Sequence, residues 1–154
     1  MALTLRCMQM EKTYNLLKSF FPFWLCTLCA LPLFHLHAEE TEPYAYVIHP
    51  KNGDVVSSPF KVIFGLKNFG VVPAGIDLDF AGHHHLFVNS PGIDYSKPIP
   101  ADKNHLHFGK GQTETVLDLE PGEYELQLVL GNYLHIPFNP SIESKIISIR
   151  VKNN

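Results

Sequence analysis

Glycine and proline cut the chain from Tyr44 onward into short runs that alternate apolar and polar residues, and no segment sustains a helical period. The cleanest signal is Thr113 to Leu119, a turn at Glu120-Pro121-Gly122, and Tyr124 to Leu130. In that last run Tyr124, Leu126, Leu128 and Leu130 alternate with Glu123, Glu125, Gln127 and Val129. This reads as a hairpin with one face in a core and the other mostly in solvent. Tyr44 to His49, Phe60 to Leu66, His83 to Asn89 and Lys145 to Val151 have the same character, and an extended segment is expected around His105 to His107. Asn68 to Gly82, Ser90 to Asn104 and Gly131 to Ser141 carry the Gly and Pro of irregular connections. About seven short strands without intervening helices predict an all-β protein, an antiparallel β-sandwich of immunoglobulin-like or related topology.

The first 38 residues differ in kind. Arg6, Lys12 and Lys18 precede an uncharged apolar run of 15 residues, Phe20 to Phe34, and a small residue follows at Ala38. This is the pattern of a secretory signal peptide over residues 1–38, with cleavage before Glu39 and a single β-sandwich domain over 39–154. The run is short for a bilayer span of about 20 residues and is interrupted by Pro22 and Pro32, so no stable membrane insertion is expected after cleavage. Leucine precedes both Cys26 and Cys29, which disfavours a lipidated cysteine. The expected destination is the periplasm or the medium.

Removing the signal removes every cysteine and methionine, which excludes disulfides, thiolate zinc sites and thioether copper sites from the remaining domain. It also takes three of the 12 basic and one of the 15 acidic residues, leaving nine against fourteen. A net acidic domain without a basic cluster is a poor nucleic-acid partner.

Five of the nine histidines lie in two short runs, Gly82-His83-His84-His85 and His105-Leu106-His107. Along a strand, residues i and i+2 project from one face about 6.5–7 Å apart, a span one metal ion bridges. His83 and His85 satisfy this, with His84 on the opposite face, and so do His105 and His107. If the two segments pair, three or four imidazoles converge with His135 from a later loop. Asp102 and Glu114 are candidate oxygen ligands or outer partners that orient the imidazoles. His49 reads as structural. Gly109-Lys110-Gly111-Gln112 lacks the spacing of a phosphate loop and reads as a turn that brings backbone close to the histidine strand, buttressed by Gln112 and Glu114.

The combination GHHHLFV, IPADKNHLHFGKGQTE and LDLEPGEYELQLVLGN, followed by His135, Pro140 and Ser144, resembles a bacterial family of exported proteins known as domain of unknown function 4399. The resemblance implies no activity. The family pattern Gly-Asp-x-x-His-x-Pro-His-x-Pro reads here as Gly131 to Pro140 with Phe138 at its second histidine. Asn89 stands where an aspartate is usual.

The expected function is that of an exported, histidine-rich binding protein for a divalent transition metal, cupric copper or zinc, held by His83, His85, His105, His107 and His135. His84 stands beside these as a further candidate. The alternative is an all-β interaction module of the cell envelope, with a protein partner and structural histidines. Neither a Gly-x-Ser-x-Gly elbow nor an HExxH helix is present, so catalysis is not expected. Imidazole ligands bind metal only when deprotonated, which predicts a steep loss of affinity between neutral and mildly acidic pH.

Overall fold

The computed structural model describes residues 42–90 and 92–153, and the expected signal segment lies outside them. Among the described residues there are nine strands and no helix. They are β1 (Tyr44–His49), β2 (Val55–Ser57), β3 (Phe60–Lys67), β4 (Gly70–Val71), β5 (Ala81–Val88), β6 (His105–His107), β7 (Glu114–Leu117), β8 (Gly122–Gly131) and β9 (Ile147–Lys152). One sheet has the order β1-β3-β7; the other has the order β2-β9-β8-β5-β4, with β6 also paired to β5. The two strands beyond the expected seven are β2 and β4, of three and two residues, too short to show alternation. Both pair in parallel, β2 with β9 and β4 with β5, so an otherwise antiparallel sandwich is locally mixed.

The expected hairpin is not one. β7 pairs with β3 in the small sheet, whereas β8 pairs with β5 and β9 in the large sheet. Glu120-Pro121-Gly122 therefore carries the chain from one layer to the other, and the Tyr124 hydroxyl donates back to the Glu120 carbonyl at 3.0 Å across that corner. Alternation states which side chains face inward. It is silent on which strand lies alongside.

Inward residues of both layers make one core: Ala45, Phe60, Val62, Phe64 and Leu117 from the small sheet meet Leu86, Val88, Leu126, Leu128, Ile149 and Val151 from the large one. All eight residues of β5 are buried, on both faces. Its outer face is covered by the connections on either side of β6 and after β8, where Ile99 and Ile93 pack on Phe87 and Val129. Val129, placed on the solvent face by its sequence phase, is thus fully buried. Leu128 sits in the main core with no exposed surface. Leu128→Ala should cost about 2–5 kcal/mol in denaturant unfolding, and a loss below about 1 kcal/mol would mean the core relaxes around that position.

Candidate metal centre

β5 supplies the base of the site. Its register puts His85 opposite His107 of β6 on one side, and His83 and His85 opposite Gly131 and Val129 of β8 on the other. Period two then aims His83 and His85 outward together, while His84 points into the sandwich and packs on the Phe64 ring at 5.2 Å.

His135 arrives from the turn after β8. Its backbone takes φ 68°, a left-handed conformation that a residue with a Cβ adopts only when its surroundings impose it. Here Asn132 imposes it: its side-chain oxygen accepts from the Leu134 and Ile136 amides at 2.9 and 3.0 Å, and its carbonyl accepts from the His135 amide at 2.8 Å. The His135 carbonyl in turn accepts from Ile99.

Four rings converge as a result. Nε2 of His83 and Nε2 of His85 stand 3.1 Å apart. One ring nitrogen each from His83, His107 and His135 lie within 4.8 Å of one another. The ring centroid of His107 is 5.0 Å from that of His85 and 4.7 Å from that of His135, while His85 and His135 are 6.0 Å apart. Two nitrogens bound to one zinc-like ion at about 2.0–2.1 Å stand about 3.4 Å apart, so the His83 and His85 pair already has chelating separation. His83 and His85 are buried, His135 half-buried and His107 exposed, so the site opens to solvent on the His107 side.

Two glycines make room for these rings. A Cβ at Gly131 would meet His85 Nε2 at 3.0 Å, and a Cβ at Gly109 would fall 2.3 Å from His107 Cε1. Close backbone approach at Gly109 accords with the sequence reading, and so does the brace from Gln112, but Glu114 lies elsewhere. Gln112 accepts from the Lys110 amide within its own turn, and Glu114 pairs with Lys61 at 2.9 Å on the small sheet. The role of Gly131 carries no sequence signal, since it ends a strand without any turn motif.

Glu114 is therefore removed from the ligand candidates, and so is His105. Both nitrogens of the His105 ring are engaged, Nδ1 with Asp102 at 2.9 Å and Nε2 with the Ser90 hydroxyl at 2.8 Å, and the ring stands edge-on to Phe87. His105 shares a face with His107 as its spacing requires, but it lies one rung further along, opposite Phe87 rather than His85. Asp102 accepts from the Asn104 and His105 amides as well, and these contacts hold its carboxyl below the usual range. It orients His105, not the four converging rings. His84 is excluded by direction, and His49 lies outside the cluster on β1. Phe138 packs against Phe69 and over Gly82, whose Cβ would point to the same side of β5 as His84, so position 138 does not face the cluster.

Burial lowers the basicity of these imidazoles. Desolvation, then repulsion from His135, His107 and His84, brings His83 down to about 4. Desolvation, then repulsion from His83, His107, His135 and His105, brings His85 to about 3. His84 falls to about 4 by burial alone, and His107 is lowered by burial and by His135. Nδ1 of His83, Nδ1 of His85 and both nitrogens of His84 have no hydrogen-bond partner among the described residues. Each such buried polar atom costs on the order of 1–3 kcal/mol, so the fold carries this cluster at the expense of its own stability.

The fold and the site together define a small two-sheet β domain that carries a polyhistidine centre on the outer face of its larger sheet. The chain belongs to the family described as domain of unknown function 4399, which matches residues 62–152. No curated protein matches it. Among solved structures, the X-ray structure of the endo-beta-1,4-mannanase from Thermotoga petrophila is similar at 18% identity with a TM-score of 0.45, over 79% of this chain. This chain spans 22% of the mannanase, and the likeness is too low to bear on fold or activity.

The depressed imidazoles make stability pH-dependent with a definite sign. The unfolded chain takes up protons on these histidines below about pH 6.5, whereas folded His83 and His84 stay neutral to about 4 and His85 to about 3. Their contribution is complete above pH 6.5 and is lost as the pH falls through the window between 6.5 and 4, and down to about 3 for His85. Melting temperature should be flat from pH 8 to 7 and fall steadily below 6.5. A flat profile down to pH 4 would show that these rings are solvated in the folded state.

Proposed function

We propose that this is an exported protein that binds one divalent transition metal ion, cupric copper or zinc, through His83, His85, His107 and His135. The observation that carries this reading is the convergence of four imidazoles from β5, β6 and the turn after β8, with two Nε2 atoms 3.1 Å apart. An all-nitrogen donor set suits these intermediate ions, whereas calcium requires oxygen ligands. Low basicity at His83, His85 and His107 helps such a site, because protons compete less for those nitrogens. The loss of affinity on acidification is therefore expected at lower pH than an unperturbed histidine would give.

Export rests on the basic, apolar and small-residue succession ending at Ala38, and mass determination of the exported form should place its first residue at Glu39 or within a few residues of it. The chain's own residues supply the metal site by position: β5 fixes two nitrogens, β6 a third, and Asn132 holds the turn that presents the fourth. A bound ion would supply positive charge at the centre of the four rings.

One feature favours an envelope interaction module instead. A histidine ligand usually donates its outer N–H to a protein acceptor, and Nδ1 of His83 and of His85 find none among the described residues.

Metal titration of the stripped protein, followed by plasma mass spectrometry, separates the two readings. His107→Ala and His135→Ala should each weaken cupric or zinc binding at least about tenfold, a change of about 1.4 kcal/mol, while His105→Ala should lower the melting temperature and leave affinity unchanged. Gly109→Ala should also weaken binding at little cost in stability, because the exposed His107 ring is free to swing away from the added methyl. Variants that all bind like the parent would leave the interaction module standing.

A further inference from the structure

We infer that Ser90, His105 and Asp102 form a second, separate centre, a serine nucleophile with its base and orienting carboxylate, that transfers the acyl group of small uncharged esters to water. The geometry is that of an activated hydroxyl. Asp102 is fixed by the amides of Asn104 at 2.8 Å and His105 at 3.0 Å. Its carboxylate only accepts, so the 2.9 Å contact places the imidazole proton on His105 Nδ1. Nε2 is then left with a lone pair, and the group 2.8 Å away is the Ser90 hydroxyl, which must donate. The His105 ring is only 6% exposed and is gripped edge-on by Phe87 at 4.8 Å, so it is held in that orientation.

The three residues come from the segment just after β5, the loop before β6 and β6 itself, which is why no contiguous nucleophile motif marks them. Ser90 borders a shallow hollow with Phe87, Glu125, Gln127 and Ile146. The hollow is open to solvent beside the hydroxyl, and Glu125 on it disfavours anionic esters. The Gly92 amide donates to Oγ at 3.1 Å, which occupies a lone pair of the hydroxyl and leaves its proton for Nε2.

In the first half-reaction Oγ attacks the ester carbonyl carbon as its proton passes to Nε2. The tetrahedral adduct collapses, the C–O bond to the alcohol breaks, and the alcohol leaves with the proton from Nε2. Water then attacks the acyl-Ser90 carbonyl, giving a proton to Nε2, and collapse releases the carboxylic acid as Oγ recovers that proton. No metal takes part, so the four converging histidines are not required.

The test uses the full chain in the presence of a chelator, with a fluorophosphonate probe and 4-nitrophenyl acetate. Intact mass and peptide mapping should give one adduct, on Ser90, formed faster than any on Ser58, whose hydroxyl contacts a carboxylate without an intervening imidazole. Ser90→Ala should abolish both labelling and ester hydrolysis, and His105→Gln should slow labelling by about a hundredfold. Asp102→Asn, which keeps an acceptor for the two amides, should slow labelling too and guards against loss of fold in the His105 variant. The inference is overturned by absence of label, by labelling at Ser90 no faster than at Ser58, by labelling indifferent to His105→Gln in a folded protein, or by hydrolysis that the chelator abolishes.

Discussion

The pairing of β5 with β6 on one edge and β8 on the other is the constraint from which the rest follows. β5 is buried on both faces, and its two faces do different things. Leu86 and Val88 join the core between the sheets, whereas His83, His85 and Phe87 form the floor of a second layer roofed by loops. A strand in this position has the strongest register specification a sheet offers, because slipping it by one residue would exchange the two faces entirely. His84 would then enter the centre, and His83 and His85 would be driven against Phe64.

What the sequence made legible follows from this periodicity. The common direction of His83 and His85, the opposite direction of His84, and the inward set on β3, β8 and β9 are all consequences of period two. The separation of His105 from His107 is not, since both lie on one face and differ only in what stands across the ladder: Phe87 for one and His85 for the other. His135 was suggested by residue type alone, and its arrival depends on a left-handed turn made by Asn132, which no alternation encodes. β7 and β8 were legible as strands but not as members of different sheets. Val129 was placed outward correctly, yet the loop carrying Ile99 covers it, and coverage by an irregular loop leaves no periodic trace.

Burial and function pull in opposite directions across the outer face. Packing the rings together strips water from the nitrogens of His83 and His85 and lowers their affinity for protons, which keeps those two neutral. The same packing leaves buried nitrogens without protein partners. His105 resolves the conflict differently, by engaging both nitrogens with Asp102 and Ser90. Two histidines on one face of β6 are thus held differently, His105 by hydrogen bonds to both nitrogens and His107 among the rings of His83, His85 and His135.

The four converging histidines are also dispersed along the chain, at 83, 85, 107 and 135, carried by two strands and a turn. An unfolded or half-synthesised chain offers neighbouring pairs of imidazoles but never the full set, so any ligand that needs all four distinguishes the finished domain from its precursors. Occupancy at a hundredfold excess over the dissociation constant would add about 2.7 kcal/mol to the folded state, reduced by whatever affinity the dispersed histidines of the unfolded chain retain. Such a ligand acts as a clasp closed after assembly. The order of events along the chain is thereby fixed: strands first, clasp last.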